Sequence, residues 1–398
     1  MKPKQYCILL IGCLLVAYSS VKAQTGLVLA PKVKEQLIFP VQSEHTHGSS
    51  LVHLPNGDIL AAWFQGSGER TADDVRIMGA RLKKGANQWS KPFLMADTPY
   101  LPDCNPVLFL NHDKKLFLVW IAVQANRWEN SILRVRTTND YNGEAVPNWQ
   151  WQDNILLKPS DDFATEVKAK FKSLPEHGIG WAAYAPKYDE MISEAATDPT
   201  KRSIGWMTRI KPLLLPNNRI VLPLYSDGYN FSLMAISDDD GVSWTPSLPL
   251  VGRGPIQPAL AQKKDGTLVA YLRDSGDYPP RVQVSESKDS GYTWSASLKT
   301  DMPNTASVEL LVLKDGTWVF VGNDLEDGRE RLGLFLSDDE GKTWKWKTYL
   351  ENNQQGGYSY PSLTQTDDGL LHISYSYHAD KNHKSIKYVV VNYRTIKK

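Results

Sequence analysis

The sequence predicts an all-β protein, a six-bladed β-propeller with a partly helical insertion between its second and third blades. Three observations carry that expectation. First, the pattern Ser-x-Asp-x-Gly-x-Ser/Thr-Trp occurs at 237–244, 287–294 and 337–344, each copy starting fifty residues after the last. A fixed period of that size marks a repeat architecture. Second, six apolar runs each end in a hairpin-type turn: Asn56-Gly57, His112-Asp113, Asn217-Asn218, Asp265-Gly266, Asp315-Gly316 and Asp368-Gly369. Such turns between apolar segments are strong hairpin signals, and four strands in each of six units make a propeller. Third, the rhythm fails only between Trp151 and Trp206.

Within the repeated motif, Asp239, Asp289 and Asp339 are expected to accept backbone N–H bonds. Gly241, Gly291 and Gly341 are expected to take positive φ. The three Trp residues should bury their rings where units pack. Worn copies stand around Gly85–Trp89 and Thr138–Trp149.

Taken from the start, the chain opens with a basic end and an apolar run, Tyr6 to Ala17, then Val21-Lys22-Ala23 before Gln24. Residues 1–23 read as a secretory leader, too short in its apolar part to span a membrane. A lipid anchor at Cys13 is disfavoured because Leu14 to Ala17 continue the apolar run. The expectation is an exported, periplasmic or extracellular protein whose only mature cysteine is Cys104, so no disulfide framework is available. The propeller should fill 27–398. Gln36-Leu-Ile-Phe39 could supply the outer strand that the last unit lacks. In the insertion, at about 152–205, Ser160 to Phe171 reads as a helix with Ser160 as cap, and Pro186 to Ala196 as a second helix. His177 to Tyr184 is an aromatic loop. Insertions of this length often shape a binding site.

A formal net charge of +1 gives no electrostatic case for nucleic acid. There is no glycine-rich phosphate loop and no metal-ligand spacing, so no cofactor is expected. Oligomeric state is open.

The motif is the Asp-box, and its order along the chain resembles the sialidase (neuraminidase) superfamily, in particular its divergent bacterial branch. The resemblance implies a sialidase-type site on the propeller axis: arginines on a substrate carboxylate, a Tyr nucleophile paired with Glu, and an Asp acid/base. Tyr360 stands nine residues before Gly369, matching the nucleophile. Arg273, seven residues after Gly266, and Arg329, with Arg331 two further on, match two arginines whose planar forks suit a carboxylate. The chain departs elsewhere. His47 replaces the first arginine, Gln257 replaces the Glu, and the acid/base position falls at Glu69, beside Arg70 and followed by Asp73 and Asp74. Asp74 begins a strand and reads as structural. Asp103 and Asn105 occupy the strand start of unit two, and Arg209 that of unit three.

Three functions remain open. A secreted sialidase-like exo-glycosidase would hold an acidic sugar of a glycan with Arg273, Arg329 and Arg209, attack with Tyr360 and protonate with Glu69. A lyase or hydrolase of uronic-acid glycans would use His47 as base, near neutral pH. A non-catalytic glycan-binding propeller would need neither Glu69 nor His47. Fold alone does not decide among them.

Overall fold

The computed structural model describes residues 28–176 and 187–397; the expected leader and the loop His177–Tyr184 lie outside the described residues. Six antiparallel sheets stand around one axis. Their inner strands are His45–His53, Asp103–Leu110, a broken pair Met207–Thr208 and Leu213–Leu214, Pro255–Gln262, Glu309–Val312 and Gly357–Gln365. The inner strands are mostly buried, because each blade covers its neighbour on both faces. The continuous apolar character of strands such as Leu116–Val123 follows from that two-sided burial.

The ring closes between chain ends. Lys32–Leu37 pairs with Lys384–Val391, placing Gln36 opposite Tyr388, and becomes the outer strand of blade 6. The strand starts four residues earlier than the sequence suggested, and Ile38 and Phe39 instead pack in the core of blades 1 and 6. Joining the ends through a shared sheet closes the ring.

The Asp-boxes form the same turn three times. Asp289 Oδ1 accepts from Ser287 Oγ at 2.8 Å and Thr293 N at 2.9 Å, and Oδ2 accepts from Thr293 Oγ1 at 2.6 Å. Asp239 and Asp339 repeat the pattern. The box glycines have φ of 95°, 95° and 78°, and they also touch the preceding blade. A Cβ on Gly241 would sit 2.6 Å from Phe117, and one on Gly291 3.1 Å from Val221. Glycine is therefore required for conformation and for close approach together. Of the box tryptophans only Trp294 is buried; Trp244 and Trp344 are half-buried against the core.

The insertion forms helices Asp162–Ser173 and Tyr188–Ala195 and a short turn of helix, Pro199–Arg202. Phe163, Val167 and Phe171, spaced by four, give the first helix one buried face. Asp161, not Ser160, takes its N-cap place; Ser160 Oγ instead receives the Asp162 N–H at 3.3 Å. Phe163 packs edge-on to Trp206 and Tyr229. Tyr229 Oη donates to Ala195 O at 3.2 Å, so the insertion braces the loop after the second strand of blade 3. Gly205, at φ 75°, lets the returning chain pass the Trp128–Asn130 turn; a Cβ there would stand 2.2 Å from Glu129 O. Among the described residues no helix is long and apolar enough to cross a membrane.

Candidate active site

One backbone device places most of the site. On four inner strands the pairing skips a residue, between His47 and Ser50, Cys104 and Val107, Ile256 and Ala259, and Ser359 and Ser362. Each bulge holds one residue in the left-handed region: Gly48, Asn105, Gln257 and Tyr360, with φ between 52° and 62°. All four stand nine residues before a positive-φ hairpin residue, namely Gly57, Lys114, Gly266 and Gly369. A bulge re-aims its side chain. For Gln257 and Tyr360 the conformation costs about 1–3 kcal/mol each, and such strain gathers at functional sites.

Tyr360 is the centre of what these bulges present. It is 8% exposed. Arg273 Nη1 donates to its Oη at 2.9 Å. The Arg209 and Arg329 guanidinium carbons lie 4.8 and 5.5 Å from its ring centre. The His47 ring is 4.1 Å away, centre to centre. The Gln257 side chain lies beside the phenols of Tyr360 and Tyr225 and acts to lower the pKa of both. Burial pushes the Tyr360 phenol up, but Arg273 and Arg329 outweigh burial and hold it below the ordinary tyrosine value. His47 is driven the other way. Burial, then Arg329 and the neighbouring His378, push its pKa well below that of an ordinary histidine, so the ring is neutral.

Above Tyr360 lies a cavity of about 300 Å³ lined by polar residues, with Glu69 and Arg70 on one wall. Glu69 Oε2 faces His45 Nε2 at 3.2 Å. Arg70 donates to Asp227 Oδ2 at 2.8 Å and covers the Trp128 ring at 4.0 Å. Asn105 Nδ2 donates to Tyr225 Oη at 3.1 Å.

A family model for BNR repeat-like domains matches residues 57–208 and 193–373. The chain belongs to the BNR repeat-like family. Its propeller is similar to those of solved sialidases. A Dyadobacter fermentans protein of unknown function shares 16% identity at a TM-score of 0.66, over 91% of this chain and 99% of that one. The NanB sialidase of Streptococcus pneumoniae shares 13% at 0.65, over 91% and 71%. The intramolecular trans-sialidase of Ruminococcus gnavus shares 15% at 0.65, over 91% and 98%. At these identities the likeness is one of fold. No curated protein matches by sequence.

In this BNR repeat-like protein the cavity gathers Glu69, Arg70, Asn105, Gln257, Arg273 and Tyr360. His47, Arg209 and Arg329 lie against the Tyr360 ring rather than on the cavity wall, and Arg209 is anchored by donating to Ser49 O and Pro361 O. Arg329 turns to Tyr360, whereas Arg331 lies over Tyr349 on an outer strand. Asp103 is not on the cavity. Its carboxylate accepts from Thr98 N at 2.6 Å and Trp120 Nε1 at 2.8 Å, and burial raises it to about 6. Asp74 closes its own loop by accepting from Ser67 N and Oγ, and Asp73 accepts from Asn126.

The sequence reading missed Tyr225, Trp128, Asp227 and Asn230, which also line the cavity. Tyr225 had a signal: it stands seven residues after Asn218, the offset that found Arg273 after Gly266. A buried counter-charge was missed as well. Glu309, on the inner strand of blade 5, acts on Lys211 and Arg209, and burial raises its pKa to about 7. Four buried atoms around Tyr360 have no partner among the described residues: His47 Nδ1, Arg209 Nε, Gln257 Oε1 and Arg273 Nε.

Proposed function

We propose that the protein is a glycosidase acting on an acidic sugar at the end of a glycan, in the manner of a sialidase. The observation that carries this reading is the convergence of Arg273, Arg329 and Arg209 on Tyr360. A guanidinium fork grips a carboxylate by two parallel bonds, and a buried polar wall with unpartnered atoms suits a hydroxylated ligand.

The chemistry follows from the groups present. The substrate carboxylate takes over Arg273 and Arg329. Tyr360 Oη attacks the anomeric carbon while Glu69 gives its proton to the departing glycosidic oxygen. Glu69 then removes a proton from water, whose oxygen displaces the phenol and returns Tyr360. The family's Glu partner is absent, and Gln257 cannot accept a proton. The arginines and the Gln257 amide instead favour the ionised phenol directly.

Gln257 also favours a second reading, a lyase on uronic-acid glycans. There the arginines would neutralise the uronate carboxylate, and the Tyr360 phenolate would remove the proton beside it. The partners of the site are accordingly acidic glycans, and the leader-like N-terminus suits export. The test is incubation of residues 24–398 with an α-linked sialoside and with a polyuronate. Free sialic acid, lost in Tyr360→Phe, supports the glycosidase. Ultraviolet absorbance of an unsaturated product from the polyuronate alone would replace it with the lyase.

A further inference from the structure

We propose that the substrate carries a second acidic unit on the leaving-group side, and that Lys384 recognises it. The inference rests on the glycosidase reading of the site.

Beside the Tyr360 cavity lies another, of about 440 Å³, whose lining includes Ser43, His45, Ser67 and Lys384. The two cavities share only Glu69 and Arg70. These two residues are the partition between them. A general acid acts on the oxygen that joins two sugar units. An acid standing on a partition therefore puts one unit on each side.

The partition is built to stay in place. Arg70 is held at φ 66°. Its guanidinium is pinned by Asp227 and by the Trp128 ring. The loop that carries it is closed by Ser67 on Asp74 and by Ala72 N on Gly68 O at 3.1 Å.

Charge then identifies the occupant. Around the second cavity Arg70 is matched by Asp227, and His45 faces Glu69. Lys384 has no carboxylate partner among the described residues. Its backbone is fixed by reciprocal bonds with Gln42, at 2.8 and 2.9 Å. A cation without a carboxylate partner among the described residues, on an anchored strand start and lining the same polar cavity as the acid, selects an anionic group. The leaving unit is thus a sugar bearing a carboxylate, so the preferred substrate is an acidic sugar linked to another acidic sugar.

The test compares wild type with Lys384→Ala on three probes: an aryl α-sialoside, sialyllactose and an α-linked disialic acid. The expected result is the lowest KM for the disialic acid. Lys384→Ala should raise that KM about tenfold, the value of one charge-assisted bond, with kcat and the aryl substrate unchanged. Lys384→Glu should weaken the disialic acid further. Equal effects on all three probes, or none, overturn the proposal while leaving the glycosidase reading intact. Should wild type turn over none of them, the glycosidase reading fails. Calorimetric binding of disialic acid then decides for Lys384, since equal affinity in wild type and Lys384→Ala overturns its role.

Discussion

Replacing Arg273 with methionine removes the direct hydrogen bond that, among the described residues, only this cation makes to the Tyr360 phenol, while keeping the length of the side chain. The lost contact is a charge-assisted bond of 2.9 Å at a buried oxygen. Such bonds contribute about 1.5–3 kcal/mol. Because the same arginine would hold the substrate carboxylate and favour the ionised nucleophile, the loss should appear in kcat/KM. It corresponds to a fall of roughly 10- to 150-fold. The pH profile should move too. Arg273 is the largest force holding the phenol below its ordinary value, so without it the limb that reports phenol ionisation moves to higher pH. The assay is steady-state hydrolysis of an α-linked sialoside from pH 5 to 9, with circular dichroism to confirm folding. A folded Arg273→Met protein with wild-type kcat/KM and an unmoved profile would refute the role given to the arginines.

Other substitutions separate the site from its scaffold. Glu69→Gln should lower kcat by about 10²–10⁴-fold, the usual worth of a general acid, with sugar binding retained in calorimetry. Gly241→Ala should destabilise the fold by about 3 kcal/mol, seen in denaturant unfolding, because it forces a Cβ to φ 95° and onto Phe117. Activity per folded molecule should be unchanged. The Asp-boxes should set acid stability. Asp339 is depressed to about 2 by the Thr343 and Ser337 bonds. Its contribution is present above the ordinary carboxyl pKa and lost as pH falls from about 4 towards 2. The fall of Tm over that window should be shallower in Asp339→Asn.

The fold was legible because its local signals repeat. The boxes, the hairpin turns and the Trp residues recur in register, so each copy supports the others. The axial residues were legible through the same register: Asn105, Arg209, Gln257 and Tyr360 share one offset from the turn. Asp103 shows where that reasoning stops. Period-two alternation puts Asp103 and Asn105 on one face, but the bulge after Cys104 turns Asn105 to the axis and leaves Asp103 on Trp120. Trp128 and Asp227 sit outside the regular strands, where no period points to them. Their pairing with Arg70 exists only once the blades are closed. The depressed His47 is likewise a product of packing, since His378 and Arg329 come from distant segments.

The central claim is that the Tyr360 cavity grips a carboxylate. Calorimetric titration with free sialic acid and with its methyl ester tests it most directly, in wild type and in Arg273→Met. The acid should bind at least about tenfold more tightly than the ester to wild type, the value of one charge-assisted bond, and most of that difference should vanish in the variant. Equal binding of acid and ester by the folded wild-type protein would contradict the claim.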